Sequence, residues 1–178
     1  LRQYEEAIVN YNKAIELKPD FAEAYGNRGA CFNSLGRLDE AITNFNKAIG
    51  FKPDLADAHN NRGNALKDLG QFEEAISSYK NAIEIKSSAE GYYNLGLAYY
   101  ASKQFSAAAT QFELTDFDKS KYYLLRCLYF LDKKTHFYDL LDVNSETYLQ
   151  YLELSDVSPD NTTFGTDWGK DGYKFRVV

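Results

Sequence analysis

The chain has 178 residues, 44% hydrophobic and 26% charged, with 20 Lys and Arg against 26 Asp and Glu and a net charge of −6. That balance describes a soluble, ordered chain of about one domain's length, and its scattered basic residues exclude nucleic acid or an anionic membrane as the main partner. No run approaches the roughly 18 to 20 apolar residues of a membrane span and no signal peptide opens the chain, so a cytoplasmic protein is expected. Cys31 and Cys127 are too few for a disulfide framework or a zinc site, and both read as buried thiols. No Met is present, so Leu1 is expected to be an internal residue of something longer.

In chain order, the first predicted element is a helix over residues 3–17, whose pattern then recurs. Ala7, Ala41 and Ala75 are 34 apart, as are Ala14, Ala48 and Ala82, with Tyr11, Phe45 and Tyr79 between them. Gly29 and Gly63 keep the same step, and so do Pro19 and Pro53. One residue is lost after Lys86, and the period continues shortened from Gly63 to Gly96 and from Ala75 to Ala108. Within a unit, Tyr25, Gly29 and Phe32 and then Leu38, Ala41, Ile42, Phe45 and Ala48 fall three to four apart, which predicts two amphipathic helices. Gly36 ends the first of them, and the Lys-Pro-Asp segment at 52–54 ends the second. Gly and Ala stand where the two helices approach most closely, so Gly63 is expected to touch Ala75. The units are a half repeat at 1–20, repeats at 22–55, 56–88 and 89–117, and a degenerate repeat at 118–142, together spanning 1–142. A capping helix is expected over 143–155, followed by an irregular tail over 156–178 that ends in an alternating, strand-like run.

Tyr25, Gly29, Phe32, Gly36, Ala41, Phe45, Ala48 and Pro53 together resemble the tetratricopeptide repeat. The resemblance implies an all-α, right-handed superhelical solenoid of antiparallel helix pairs, with the first helix of every unit lining a concave groove. It further implies a non-catalytic scaffold that binds a peptide segment of a protein partner in that groove. The alternative is the repeat region of a larger enzyme, of glycosyltransferase or oxygenase type, used for substrate selection or dimerisation. The degenerate repeat departs from the pattern, with Arg126 at the Gly place and Tyr138 at the Ala place.

The inventory for chemistry is poor, and neither catalytic residues, a metal site nor a cofactor is expected. His59 occupies the packing position of Tyr25 and Tyr92, and His136 has only Asp132 and Asp139 near it in sequence. Residues 160–171 echo a calcium loop but place Phe164 at a ligand position and supply no closing Glu.

Function is therefore expected on the groove. Its candidates are Asn27 in the first full repeat, Asn60, Asn61, Asn64 and Lys67 in the next, and Tyr93, Asn94, Leu97 and Tyr100 in the third. Asn27, Asn61 and Asn94 share one register and resemble the asparagine ladder of related repeat proteins, which implies that they pair with N–H and C=O of an extended peptide or bond neighbouring helices. In the degenerate repeat the equivalents are Ser120, Tyr123, Cys127, Phe130 and Leu131. The helix at 3–17 lacks its hairpin partner, so any homodimer is expected to form there through Tyr4, Ile8, Tyr11 and Ile15.

Overall fold

The structure, a computed structural model, describes residues 2–131 and residue 133. Expectations placed on His136, Tyr138, the helix at 143–155 and the tail at 156–178 lie outside the described residues. Those residues form eight helices and no strand: α1 (Arg2–Leu17), α2 (Ala22–Ser34), α3 (Leu38–Phe51), α4 (Ala56–Asp68), α5 (Phe72–Ile85), α6 (Ala89–Ala101), α7 (Phe105–Glu113) and α8 (Asp118–Phe130). The chain is an all-α solenoid built of helix pairs, and it divides between Gln104 and Phe105 into two compact units. The division falls inside the segment read from sequence as the repeat 89–117.

In the first unit the turns between paired helices are made one way. Leu35 closes α2, and Gly36 follows at φ +73°, with its N–H on Asn33 O at 2.9 Å and the Arg37 N–H on Phe32 O at 2.9 Å. These are the two bonds of a Schellman motif, whose left-handed residue is easiest for Gly. Gly70 repeats the motif at φ +76°, and Lys103 stands in it at φ 61°. Each second helix then opens with negative charge at the positive end of its dipole, Asp39 and Glu40 in α3 and Glu73 and Glu74 in α5.

Within a pair, the helices meet where glycine removes a side chain. A Cβ built on Gly29 would lie 2.8 Å from Cε1 of Phe45 and 3.2 Å from the Ala41 carbonyl oxygen. On Gly63 it would lie 2.7 to 2.9 Å from three ring atoms of Tyr79. The atoms closest to that Cβ thus belong to the Tyr79 ring, which reaches across the seam, and Ala75 is itself fully buried. Phe45 and Tyr79 are both enclosed completely, and complete burial of such a side chain stabilises by about 1.5–3 kcal/mol. Tyr79 keeps its polar end satisfied by donating to Asn64 Oδ1 at 2.7 Å.

The core runs across repeat boundaries. Phe32, Ala41 and Phe45 share a cluster with Ala65 of the next pair and with Ile8 of α1. Tyr25 and Ala48 join Ala58 and Ile15. Leu66, Ala75, Ile76 and Tyr79 join Leu95 and Ala98 of α6. Each pair therefore completes its burial only with its neighbours, as stacked repeats must.

In the second unit α8 packs on α7. Phe112 stacks on Tyr123 at 5.5 Å and Phe105 on Phe130 at 4.4 Å, while Leu125 and Leu128 are enclosed. Ser120 and Cys127, placed among the groove candidates, are fully buried, which for Cys127 agrees with its reading as a buried thiol. Without the Gly and Ala landmarks, replaced at the first by Arg126, sequence spacing did not show which side of α8 turns inward. Burial pushes the Cys127 thiol up to about 12, with a small opposing pull from Arg126.

Candidate functional site: the first-helix face of residues 2–104

Helices α2, α4 and α6 are the first members of successive pairs, and α4 touches both of the others, so their outward residues form one continuous face. Asn27 is exposed on α2, Asn61 half-buried on α4 and Asn94 half-buried on α6. Among the described residues the carboxamides of Asn27 and Asn61 have no hydrogen-bond partner. That of Asn94 donates to Asn60 Oδ1 at 3.2 Å across the α4–α6 seam. One rung of the ladder thus joins two helices and two are left open.

The other sequence candidates divide as well. Asn64 turns into its own hairpin to accept the Tyr79 hydroxyl proton, so it belongs to the packing rather than to the open face. Lys67 is half-buried and pairs with Asp68 at 3.0 Å, which leaves little free cation on this side. Tyr93, Leu97 and Tyr100 are half-buried on α6. Asn33, six residues after Asn27 on α2, has its Oδ1 buried with no partner among the described residues.

Charge on this face is acidic and also in register. Glu23, Asp57 and Glu90 begin α2, α4 and α6. Lys52 binds Glu23 at 2.9 Å and, chiefly through that hydrogen bond, holds its carboxyl below the usual carboxylate range. Asp57 and Glu90 instead flank a cavity of about 140 Å³ closed by Asn60, Lys86 and Ser88, with no ion pair to either acid within 4.0 Å among the described residues. His59 is buried against the chain turn, Nε2 to Pro53 O at 2.9 Å, which fits packing rather than catalysis. No group of three or more His, Cys, Asp or Glu among the described residues is arranged to hold a metal ion.

The expected contact face of α1 splits in two. Ile8 and Ile15 turn inward to the clusters under α2 and α3, whereas Tyr4, Val9 and Leu17 are exposed and Tyr11 is half-buried. No residue of α1 is fully buried, although Ala41, Phe45 and Ala48, which match Ala7, Tyr11 and Ala14, are all enclosed in α3.

Sequence reasoning missed a second repeated device, on the other layer. Arg28 of α2 donates through Nε to Asn44 Oδ1 at 2.8 Å and through Nη1 to Asn12 Oδ1 at 2.6 Å, joining α3 to α1. Arg62 of α4 does the same 34 residues on, to Ser78 Oγ and Asn46 Oδ1, both at 3.0 Å, joining α5 to α3. The signal was present as Arg28 with Arg62 and Asn12 with Asn46 at the repeat step, in residue types that ordinarily read as solvated surface.

Comparison with known proteins agrees with this geometry. The family model described as "TPR repeat" matches residues 2–33, 29–70 and 63–103. A search of curated proteins finds no match. Among solved structures, the chain is similar to MamA, with 21% identity over 84% of this chain and 89% of that one at a TM-score of 0.72. It is also similar to YrrB, described as a TPR protein with an unusual peptide-binding site, with 18% identity over 80% and 77% at 0.72. PilF of Pseudomonas aeruginosa matches with 23% identity over 85% and 75% at 0.69. At such identities these likenesses speak for the fold.

Proposed function

The chain belongs to the tetratricopeptide repeat family, and from that premise we propose that it is a non-catalytic interaction scaffold that receives an extended peptide segment of a protein partner along α2, α4 and α6. The observation that carries this reading is the pair of open carboxamides, Asn27 and Asn61, one helix apart at one register and in line with Asn94. Each offers a donor and an acceptor, which matches the alternating N–H and C=O of an extended backbone. The peptide-binding site ascribed to YrrB supports the same use of the fold. Asp57 and Glu90 outweigh the single Lys86 on the cavity between them, which favours a partner segment with a basic side chain there. The half-buried Tyr93, Leu97 and Tyr100 supply apolar contact further along.

The test is selection of peptides from a displayed library on the intact chain, followed by affinity measurement on two series. Asn27→Ala with Asn61→Ala should keep the helical spectrum and lose about 0.5–1.5 kcal/mol per bond. N-methylation of the peptide backbone at alternate residues should weaken binding to the wild type and cost little against the double variant. Equal sensitivity of both proteins to N-methylation would refute backbone recognition by these residues. A second reading, self-association through α1, is favoured by the contrast between its only half-buried Ala7–Tyr11–Ala14 face and the enclosed counterpart in α3. Sedimentation equilibrium tests it, with Tyr4→Glu as the variant, because Ile8 and Ile15 serve the core and their substitution would report folding instead.

A further inference from the structure

We propose that the cleft between α3 and α5 is a second binding site, on the layer away from the asparagine face, which takes a glutamate or aspartate side chain of a partner polypeptide on Arg62. The cleft encloses about 290 Å³, with Ile42 and Asn46 on the α3 wall, Glu74 and Ser78 on the α5 wall, and Arg62 and Leu66 of α4 as its floor. Arg62 carries five N–H groups in a planar fork, and the described residues engage two of them, one on Ser78 and one on Asn46. Both acceptors are neutral. No carboxylate lies within 4.0 Å of the guanidinium among the described residues, even Glu74 on the cleft wall. Burial pushes the Arg62 guanidinium down from its ordinary value, which marks a cation that has given up water without gaining an opposite charge.

Ser78 is committed in this arrangement, since its hydroxyl donates to Glu74 O at 2.9 Å and so presents a lone pair to Arg62 Nε. The fork is thereby fixed through Nε and Nη1, and its three other N–H groups take no acceptor among the described residues, a number that suffices for a bidentate carboxylate. Beside it, Ile42 and Leu66 offer an apolar wall of a kind that the methylenes of a glutamate side chain can cover. Inorganic phosphate has the charge but nothing to set against that wall, which is why the carboxylate of a polypeptide is the better occupant. At the preceding seam Phe32 occupies the floor position of Leu66, and its ring lies under Arg37 at 4.6 Å. The net charge of −6 works against acidic ligands at long range, so selection here is local.

The site is tested by ¹⁵N NMR of the arginine Nε–H groups in the intact chain, titrated in separate arms with a hexaglutamate peptide and with inorganic phosphate. Hexaglutamate should shift Arg62 Nε and leave Arg28 Nε in place, and Arg62→Gln should weaken its binding at least tenfold. Glu74→Gln removes a like charge from the cleft wall and should tighten hexaglutamate binding about two- to fivefold. If Arg62→Gln does not fold, the Glu74→Gln arm decides, tightening supporting the site and an unchanged affinity overturning it. Absence of a shift at Arg62, binding that survives Arg62→Gln in a folded chain, or phosphate binding as tightly as hexaglutamate would each overturn the proposal.

Discussion

Gly63→Ala adds a single methyl group at the tightest contact in the second hairpin, and the structure states what that methyl meets. It would stand 2.7 Å from Cε1, 2.8 Å from Cδ1 and 2.9 Å from Cζ of Tyr79, against about 3.5–4.0 Å for carbon atoms in favourable contact. The ring must therefore retreat by most of an ångström. It is wholly enclosed, packed with Leu66, Ala75 and Ile76, and tethered by its bond to Asn64. Overpacking of this kind costs about 1–3 kcal/mol, and loss of the tether adds about 0.5–1.5 kcal/mol. Alanine's better helix propensity returns about 1 kcal/mol, so the net expectation is about 0.5–3.5 kcal/mol of destabilisation. Gly26→Ala is the internal control, since its Cβ would meet only Ala48 Cβ at an ordinary 3.9 Å and should raise stability by about 0.5–1 kcal/mol. Urea unfolding followed by circular dichroism measures both. A Gly63→Ala variant as stable as the parent would refute the argument, as would an equal cost in a background where Tyr79→Leu has removed the ring.

Lys103 adopts φ 61° at the turn position that Gly36 and Gly70 fill elsewhere, so Lys103→Gly should raise the urea midpoint by an amount worth about 0.5–1 kcal/mol, and a fall would refute it. Cys127 gives a pH dependence whose sign follows from burial: its thiol ionises near 9.0 unfolded and only near 12 folded, so its contribution is complete below pH 9 and is lost as pH rises toward 12. Between pH 8 and pH 10 the parent should lose about 1.4 kcal/mol more stability than Cys127→Ala, and parallel profiles would refute the burial argument.

The period of 34 carried the helices of the first unit into view because one apolar face must be buried in every turn of the stack. Gly36 and Gly70 were legible as stops for a related reason, since few residues other than Gly accept their φ. Contacts were less legible than elements. Spacing put Gly63 opposite Ala75 but could not show that the Tyr79 ring reaches over the seam, because a helical period fixes a face and leaves side-chain reach open. Asn60, Asn61 and Asn64 looked alike in the sequence, yet one binds α6, one is open and one is drawn into its own hairpin. Such a division depends on which neighbour offers a matching group. Arg28 and Arg62 were passed over although their repeat step was visible, since an arginine's role depends on the acceptors that tertiary packing brings to it.

The sharing of core clusters between successive pairs gives the first unit a direction as well as a shape. Ile8 and Ile15 are the partly buried residues through which α1 joins those clusters, and α1 contains no fully enclosed residue. Within this chain, amide protons of α1 should accordingly exchange faster than those of α3 and α5, whose equivalent residues are enclosed. The open asparagines follow the same order, Asn27 on the helix that packs on α1 and Asn61 one pair further on. A ligand spanning them would couple the loosely packed α1 to the enclosed pair beyond it, and its binding should slow amide exchange in a helix it does not touch.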